Sequence, residues 1–201
     1  IAHGLVGSEM CIRDRYIALH CVQQLLDQGY AVNGSIRSPE RKNEVIEALK
    51  NSGTSTENLN LFVFDLTNDE GWDDGMEGCD YLLHVASPLA LENHTEDYFV
   101  KPAVAGAKRA LKFAKKHGVK KVVLTSSVAA IFETGEEKVF YDESDWSDPD
   151  NPNISNYAKS KTLAEKAAWE FLKEEGNPFD FAVINPAPVS YTHLRAHETM
   201  S

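Results

Sequence analysis

Two kinds of segment alternate along this chain, and the alternation limits its fold more than any other feature. Short runs with little or no polar side recur at Ala31 to Ile36, Leu59 to Phe64, Tyr81 to Val85, Val119 to Leu124 and Phe181 to Ile184. Between them lie stretches with apolar residues at helical spacing. Tyr16 to Gln28 carries Ile17, Ala18, Cys21, Val22, Leu25 and Leu26, then Gly29 where a left-handed cap fits. Ser38-Pro39 reads as an N-cap with proline at the first helical position, opening a helix with Val45, Ile46 and Leu49 on one face. Glu70 to Gly78 holds a short helical turn. Val100 to His117 has a basic outer face and ends at Gly118, and Tyr157 to Glu175 turns Ala164, Ala167, Ala168, Phe171 and Leu172 inward. Strands that are apolar on both faces must be covered on both faces by helices, which is the parallel-sheet solution. The chain is therefore expected to form an α/β, doubly wound parallel sheet, with ligands at the carboxyl ends of its strands. The candidates at those ends are Arg37, Asp65, Ala86-Ser87-Pro88, Ser127 and Pro186, while the acidic stretch 142–150, with Pro149 and then Pro152, reads as a surface loop.

Charge narrows the classes of partner. Asp plus Glu outnumber Lys plus Arg by 31 to 20, a formal charge of -11. Such a surface repels phosphate backbones, so no nucleic-acid partner is expected, although a nucleotide cofactor needs only a local positive spot. No apolar run approaches the roughly 18 residues of a membrane span, and no secretory leader is visible. Cys11, Cys21 and Cys79 form no CxxC pair and no metal-ligand spacing, which suggests a reducing, cytoplasmic setting with Cys21 and Cys79 as small buried hydrophobes. His84 reads as a packed strand histidine, and Trp72 as core. His193 and His197 have the spacing of a metal pair, but no metal site is expected.

Tyr157-Ala158-Lys159-Ser160-Lys161 places a phenol and an ammonium one helical turn apart on one face. A tyrosine hydroxyl titrates near about 10, and a nearby cation favours its ionised form. Tyr157 is thereby suited to act as general acid toward a carbonyl oxygen as hydride reaches the carbon. Ser127, at the end of a strand in Thr125-Ser126-Ser127, is placed to hydrogen-bond the same oxygen. Alone, the Tyr-x-x-x-Lys spacing is an ordinary amphipathic pair. Its place after a strand end in a βα series gives it chemical meaning. Arg37 ends the strand from Ala31. An acid there commonly binds the ribose hydroxyls of NAD, whereas a guanidinium suits a 2′-phosphate, so NADP is expected over NAD. Arg41 or Lys42 offers a second cation.

These pieces, with Tyr16-Ile17-Ala18, Ser35-Ile36-Arg37-Ser38-Pro39, Asp65-Leu66, Gly78-Cys79-Asp80, His84-Val85-Ala86-Ser87-Pro88 and Ile184-Asn185-Pro186, resemble the extended short-chain dehydrogenase/reductase superfamily. This is the NAD-dependent epimerase/dehydratase type, and the likeness is to its dihydroflavonol reductase-like and aldehyde reductase-like branch. The resemblance covers residues 16 to about 188 and implies a Rossmann-like domain. It implies Ser127, Tyr157 and Lys161 as the catalytic triad, with Lys161 also holding the nicotinamide ribose. It further implies Asp65 and Leu66 at the adenine, Val85, Ala86 and Ser87 beside ribose and phosphates, Thr125 at the cofactor, and Pro186 near the nicotinamide. The implied activity is reduction of a small-molecule aldehyde, ketone or dihydroflavonol-like carbonyl to an alcohol. The alternatives are a sugar-nucleotide epimerase or dehydratase of the same superfamily, or a fragment inactive as written.

Two regions depart from that pattern. The family opens with a strand and a Gly-x-x-Gly-x-x-Gly turn; counted back from Tyr16, its places hold Glu9, Ile12 and Arg15. After Pro188 the family continues into a substrate-binding domain. Residues 1–15 and 189–201 instead resemble sequencing-adapter read-through. The expected division is thus a foreign segment 1–15, a partial NADP-binding domain 16–188 and a foreign tail 189–201. On this expectation the family's glycine turn and substrate domain are missing. The family's helix after the third motif often carries an asparagine that Pro102 to Gly106 does not supply.

Overall fold

The structure, a computed structural model, describes residues 3–7, 12–88, 95–134 and 138–187, those before Tyr16 as backbone only. Among the described residues six strands alternate with five helices: β1 His3–Gly7, α1 Ile12–Asp27, β2 Ala31–Ile36, α2 Arg41–Asn51, β3 Leu59–Val63, α3 Trp72–Met76, β4 Tyr81–His84, α4 Glu96–Lys116, β5 Lys121–Thr125, α5 Asn156–Glu174 and β6 Asp180–Ile184. A 3-10 turn, Val128–Ala130, follows β5. The strands form one parallel sheet in the order β3-β2-β1-β4-β5-β6. Strand order reverses between β1 and β4, so the crevice for a ligand lies outside the carboxyl ends of that pair.

Each face of the sheet has its own core. Ala18, Val22 and Leu26 of α1 and Leu49 of α2 cover Val32 and Val85 on one face. On the other, Trp72 and Met76 of α3, Phe113 and Ala114 of α4 and Leu172 of α5 pack on Phe64, Leu82 and Val122. Trp72 stacks on Phe113 with ring centroids 5.8 Å apart, and Cys79 is buried beside them, as the sequence suggests. Burial pushes the Cys79 thiol up to about 11, so it stays protonated. Cys21 is only half-buried. Asn33 faces this second core from β2. Its side-chain amide donates to the Gly75 carbonyl at 3.0 Å, so the buried polar group is satisfied and α3 is tied to β2. Gly106 of α4 lets the helix rest on Leu66; a Cβ there would lie 2.8 Å from Leu66 Cδ2.

The structure corrects the sequence reading at four places. A strand at His3–Gly7 occupies the middle of the sheet, paired with Ala31–Ser35 and Tyr81–His84, where residues 1–15 are expected to lie outside the fold. Backbone ladders on both sides satisfy such a strand whatever its side chains, so the missing glycines do not exclude it. Ser38-Pro39 does not open α2: the amides of Arg41 and Lys42 donate to the Ser38 and Pro39 carbonyls, forming a turn before a helix that starts at Arg41. The α4 helix starts four residues early, at Glu96, and keeps Pro102 inside it at the cost of one helix bond. Val119 belongs to the α4 cap, its amide donating to Ala114 O after Gly118 at φ +68, so β5 starts at Lys121.

Candidate active site

The carboxyl ends of β4, β5 and β6 meet the first turns of α5, and there the predicted chemistry gathers. Ser155 caps α5, its hydroxyl accepting from the Ala158 amide at 3.1 Å. Glu133 in turn accepts from the Ser155 amide (2.9 Å) and hydroxyl (3.1 Å). Ser147, fully buried, donates its hydroxyl to Ala129 O at 2.7 Å and accepts from the Glu133 amide at 2.8 Å. The start of α5 is thus moored to the turn that follows β5.

Within that frame Tyr157 and Lys161 share one face of α5, as their spacing predicts. The Lys161 ammonium lies 5.7 Å from the Tyr157 ring centroid and donates to the Thr125 carbonyl at 3.4 Å. Lys161 is only 6% exposed, an unusual place for a cation unless it has partners. Ser127 follows the Thr125 strand end by two residues. Its hydroxyl accepts from the Ala129 amide at 3.2 Å, and its own proton stays able to donate. His84, at the end of β4, is buried, and its pKa falls to about 4 because burial, and then the Lys161 charge, disfavour the imidazolium. A neutral His84 adds no second positive charge beside Lys161.

The predicted cofactor residues lie along the same edge of the sheet. Arg37 follows β2 and lies 3.9 Å from Asp65, which follows β3; both side chains are about one-third exposed (35% and 32%). Asp65 Oδ1 also accepts from the Thr67 amide (2.7 Å) and hydroxyl (2.5 Å). Its carboxylate therefore anchors a turn and pairs with Arg37 before it meets any ligand. Leu66 departs from expectation: its side chain is buried in the core under Gly106, and its carbonyl accepts from Arg109. Val85, Ala86 and Ser87 are buried at the end of β4, Val85 within the α1 core and Ala86 within the other. The Pro186 carbonyl accepts from the Val128 amide at 3.1 Å. Arg41 pairs with Glu44 at 3.7 Å, and Lys42 is exposed. Of the glycine-turn places, Ile12 and Arg15 fall in α1, and Glu9 lies outside the described residues, as do His193 and His197. Among the described residues no cluster of metal-ligating side chains occurs, and no helix is long and apolar enough to cross a membrane.

The residues present fit a phosphorylated dinucleotide laid across this edge. They supply a guanidinium about one-third exposed, a carboxylate, small residues after β4 and a buried ammonium. The Ser126 hydroxyl, buried, has no hydrogen-bond partner among the described residues, a polar atom left at the ligand-facing end of β5. A hollow of about 750 Å³ is walled by Ile131, Tyr141, Trp146, Glu165, Trp169 and Asn185. Ser127, Tyr157 and Lys161 do not line it. Sequence reasoning missed Ser147, Glu133 and Glu165, since each is a common residue type with its partners far off in the chain.

The model of the NAD dependent epimerase/dehydratase family matches residues 14–196. The chain belongs to that family. The match begins just before Tyr16 and runs past Pro188 into the tail. Cinnamoyl-CoA reductase CAD2 of Medicago truncatula is 37% identical over 193 residues, covering 92% of this chain and 58% of the relative. Vestitone reductase of Medicago sativa is 40% identical over 163 residues, covering 77% and 50%. The yeast methylglyoxal/isovaleraldehyde reductase Gre2, solved with NADPH, superposes with a TM-score of 0.74 at 31% identity, covering 90% of this chain and 56% of its own. The resemblance drawn from the motifs, and the parallel α/β fold it implied, are borne out. The chain spans between 50% and 58% of the length of these relatives.

Proposed function

We propose that this family member is the cofactor-binding part of an NADP-dependent carbonyl reductase, in which Tyr157 is the general acid, Ser127 orients the carbonyl oxygen and Lys161 supports both phenol and cofactor. The observation that carries the reading is the placement of the Lys161 ammonium between the Tyr157 ring and the Thr125 carbonyl. A cation beside a phenol suits it to proton transfer on general electrostatic grounds, and this one lies beside the strand end that leads to Ser127. A bound nicotinamide would supply the hydride. Ser127 then donates to the substrate oxygen and holds it, while Tyr157 Oη passes its proton to that oxygen as charge builds there. Arg37 would meet the 2′-phosphate, and Thr125, Val85, Ala86, Ser87 and Pro186 would bound the ribose and nicotinamide. For Asp65 and Leu66 the contribution is narrowed to the Asp65 carboxylate and the backbone.

The named relatives reduce carbonyl compounds or bind NADPH by their own descriptions, which favours a reductase over a sugar-nucleotide epimerase. A small-molecule carbonyl and a cytoplasmic location belong to the same proposal. NADPH binding and oxidation with a panel of aldehydes and ketones tests it, both for this chain and for one extended with a glycine turn and a full carboxyl-terminal half. Failure of the extended protein to bind NADPH or reduce any carbonyl would end the reductase reading. Tyr157→Phe should lower kcat by about 100-fold or more, the scale of general acid catalysis, while NADPH affinity stays within about twofold, because one phenol is not the cofactor's main contact. Undiminished turnover removes Tyr157 from the mechanism.

A further inference from the structure

Resting on that reading, we propose that Asn185 and Glu165 are a positioning pair that fixes Ser127 relative to the helix bearing Tyr157 and Lys161. Ser127 sits just past the end of β5, where regular pairing stops. Beyond Thr125 the backbone of β6 still holds it on either side: Ser126 donates to Ile184 O at 2.8 Å and Val128 to Pro186 O at 3.1 Å. Between those bonds the Asn185 amide reaches across and donates to the Ser127 carbonyl at 3.1 Å. That carbonyl also accepts from Ala130 at 2.9 Å, the bond that closes the 3-10 turn. Pro186 has no N–H to donate back across the sheet at this point.

The same Asn185 Nδ2 donates to Glu165 Oε2 at 2.9 Å. Glu165 is 7% exposed, and its other oxygen accepts from Trp169 Nε1 at 3.5 Å. Tyr157, Lys161 and Glu165 follow one another at four-residue intervals along α5. The pair therefore ties the serine's strand end to the helix that carries the acid and the ammonium, one turn beyond Lys161. Its members touch no reacting atom and act through Ser127, whose hydroxyl direction follows from its backbone. A buried carboxylate paired with an amide for stability alone would need no bond to the Ser127 carbonyl.

Exchanging the two functional groups separates the roles. In the Asn185→Asp, Glu165→Gln double variant a glutamine amide can donate to the new aspartate, so the bridge between β6 and α5 is remade. No donor then reaches the Ser127 carbonyl, which instead faces a carboxylate. The double variant should stay folded, with a melting temperature lower by no more than about 4 °C, and keep an NADPH KM within about twofold, while kcat falls about tenfold, the cost of a slightly misplaced catalytic group. Amides of Val128 to Ala130 should exchange with deuterium about tenfold faster, the loss of one hydrogen bond in free energy. If the double variant matches the wild type in both kcat and exchange, the pair is structural only and the proposal is overturned. Should the double variant fail to fold, Glu165→Ala, which frees Asn185 to rotate away, must show the same faster exchange or the proposal fails. Absence of turnover in the wild-type chain would count against the reductase reading, whereas the exchange measurement decides the positioning role without it.

Discussion

His84 sits where water does not reach, one strand end away from a buried lysine, and that combination sets an acid limit on the fold. Its pKa in the folded chain is about 4, against an ordinary value of 6.5. The unfolded chain therefore binds a proton that the folded chain refuses at any pH between those values. Stability attributable to this residue is complete above pH 6.5 and is lost as pH falls toward 4, by up to about 1.4 kcal/mol per pH unit. His84→Asn removes the titration. Urea melts should then show the drop in stability between pH 7 and pH 5 shrink by about 2 kcal/mol; an unchanged drop would place the acid sensitivity elsewhere. At this scale the sequence speaks clearly where one element sets the geometry. Tyr157 and Lys161 are four apart on a helix, so their shared face could be read directly, and Ser127 follows a strand end. Asn185 and Glu165 could not, because their contact depends on how β6 lies against α5, and no local pattern records that. Leu66 misled for the opposite reason: a motif neighbour of Asp65 turned out to be filled into the core by the close approach of α4 at Gly106.

Elements were legible where period and burial agree. The β2 strand matches its expected limits because every residue after Ala31 is buried, and β4 and β6 differ by a residue at one end. Boundaries failed where capping competes with periodicity, as at Val119, and the first strand failed because backbone pairing leaves no side-chain signature. The turn from β3 into α3 shows how a boundary is enforced. Gly71 caps α3 at φ +78, and a Cβ there would stand 2.4 Å from the Val63 carbonyl oxygen, an atom of the sheet itself. Neither the φ angle nor the backbone oxygen can yield cheaply. Gly71→Ala should cost about 2 kcal/mol or more, from the strained φ together with a backbone clash, read as a lower midpoint in chemical denaturation with an unchanged slope. The Trp72 indole, which donates to Asp65 O at 2.8 Å, would lose its anchor along with the cap, so tryptophan fluorescence should follow the same transition. A neutral result would mean that the β3–α3 turn can rebuild without its left-handed residue.

Over the whole molecule, charge acts at two ranges with opposite signs. The chain carries a formal charge of -11, which repels a multiply charged anion such as NADPH from a distance. Against this stands Arg37 at the carboxyl edge of the sheet, about one-third exposed and leaning on Asp65, a short-range attraction for a phosphate that has already arrived. Salt weakens the first far more than the second, since the Debye length shrinks from about 30 Å at 0.01 M to about 8 Å at 0.15 M while a contact pair is closer than either. Stopped-flow binding should therefore show the association rate for NADPH rising with salt over that range, with the dissociation rate rising less. Arg37→Ala should speed dissociation of NADPH and leave that of NADH nearly as it was, because only the former carries the 2′-phosphate. An association rate that falls with salt would mean that the cofactor edge has a positive field of its own strong enough to outweigh the acidic surface. In that case Arg37 would be acting as part of a steering patch, and the preference for NADP would have to be sought in the approach to the site as well as in the contact.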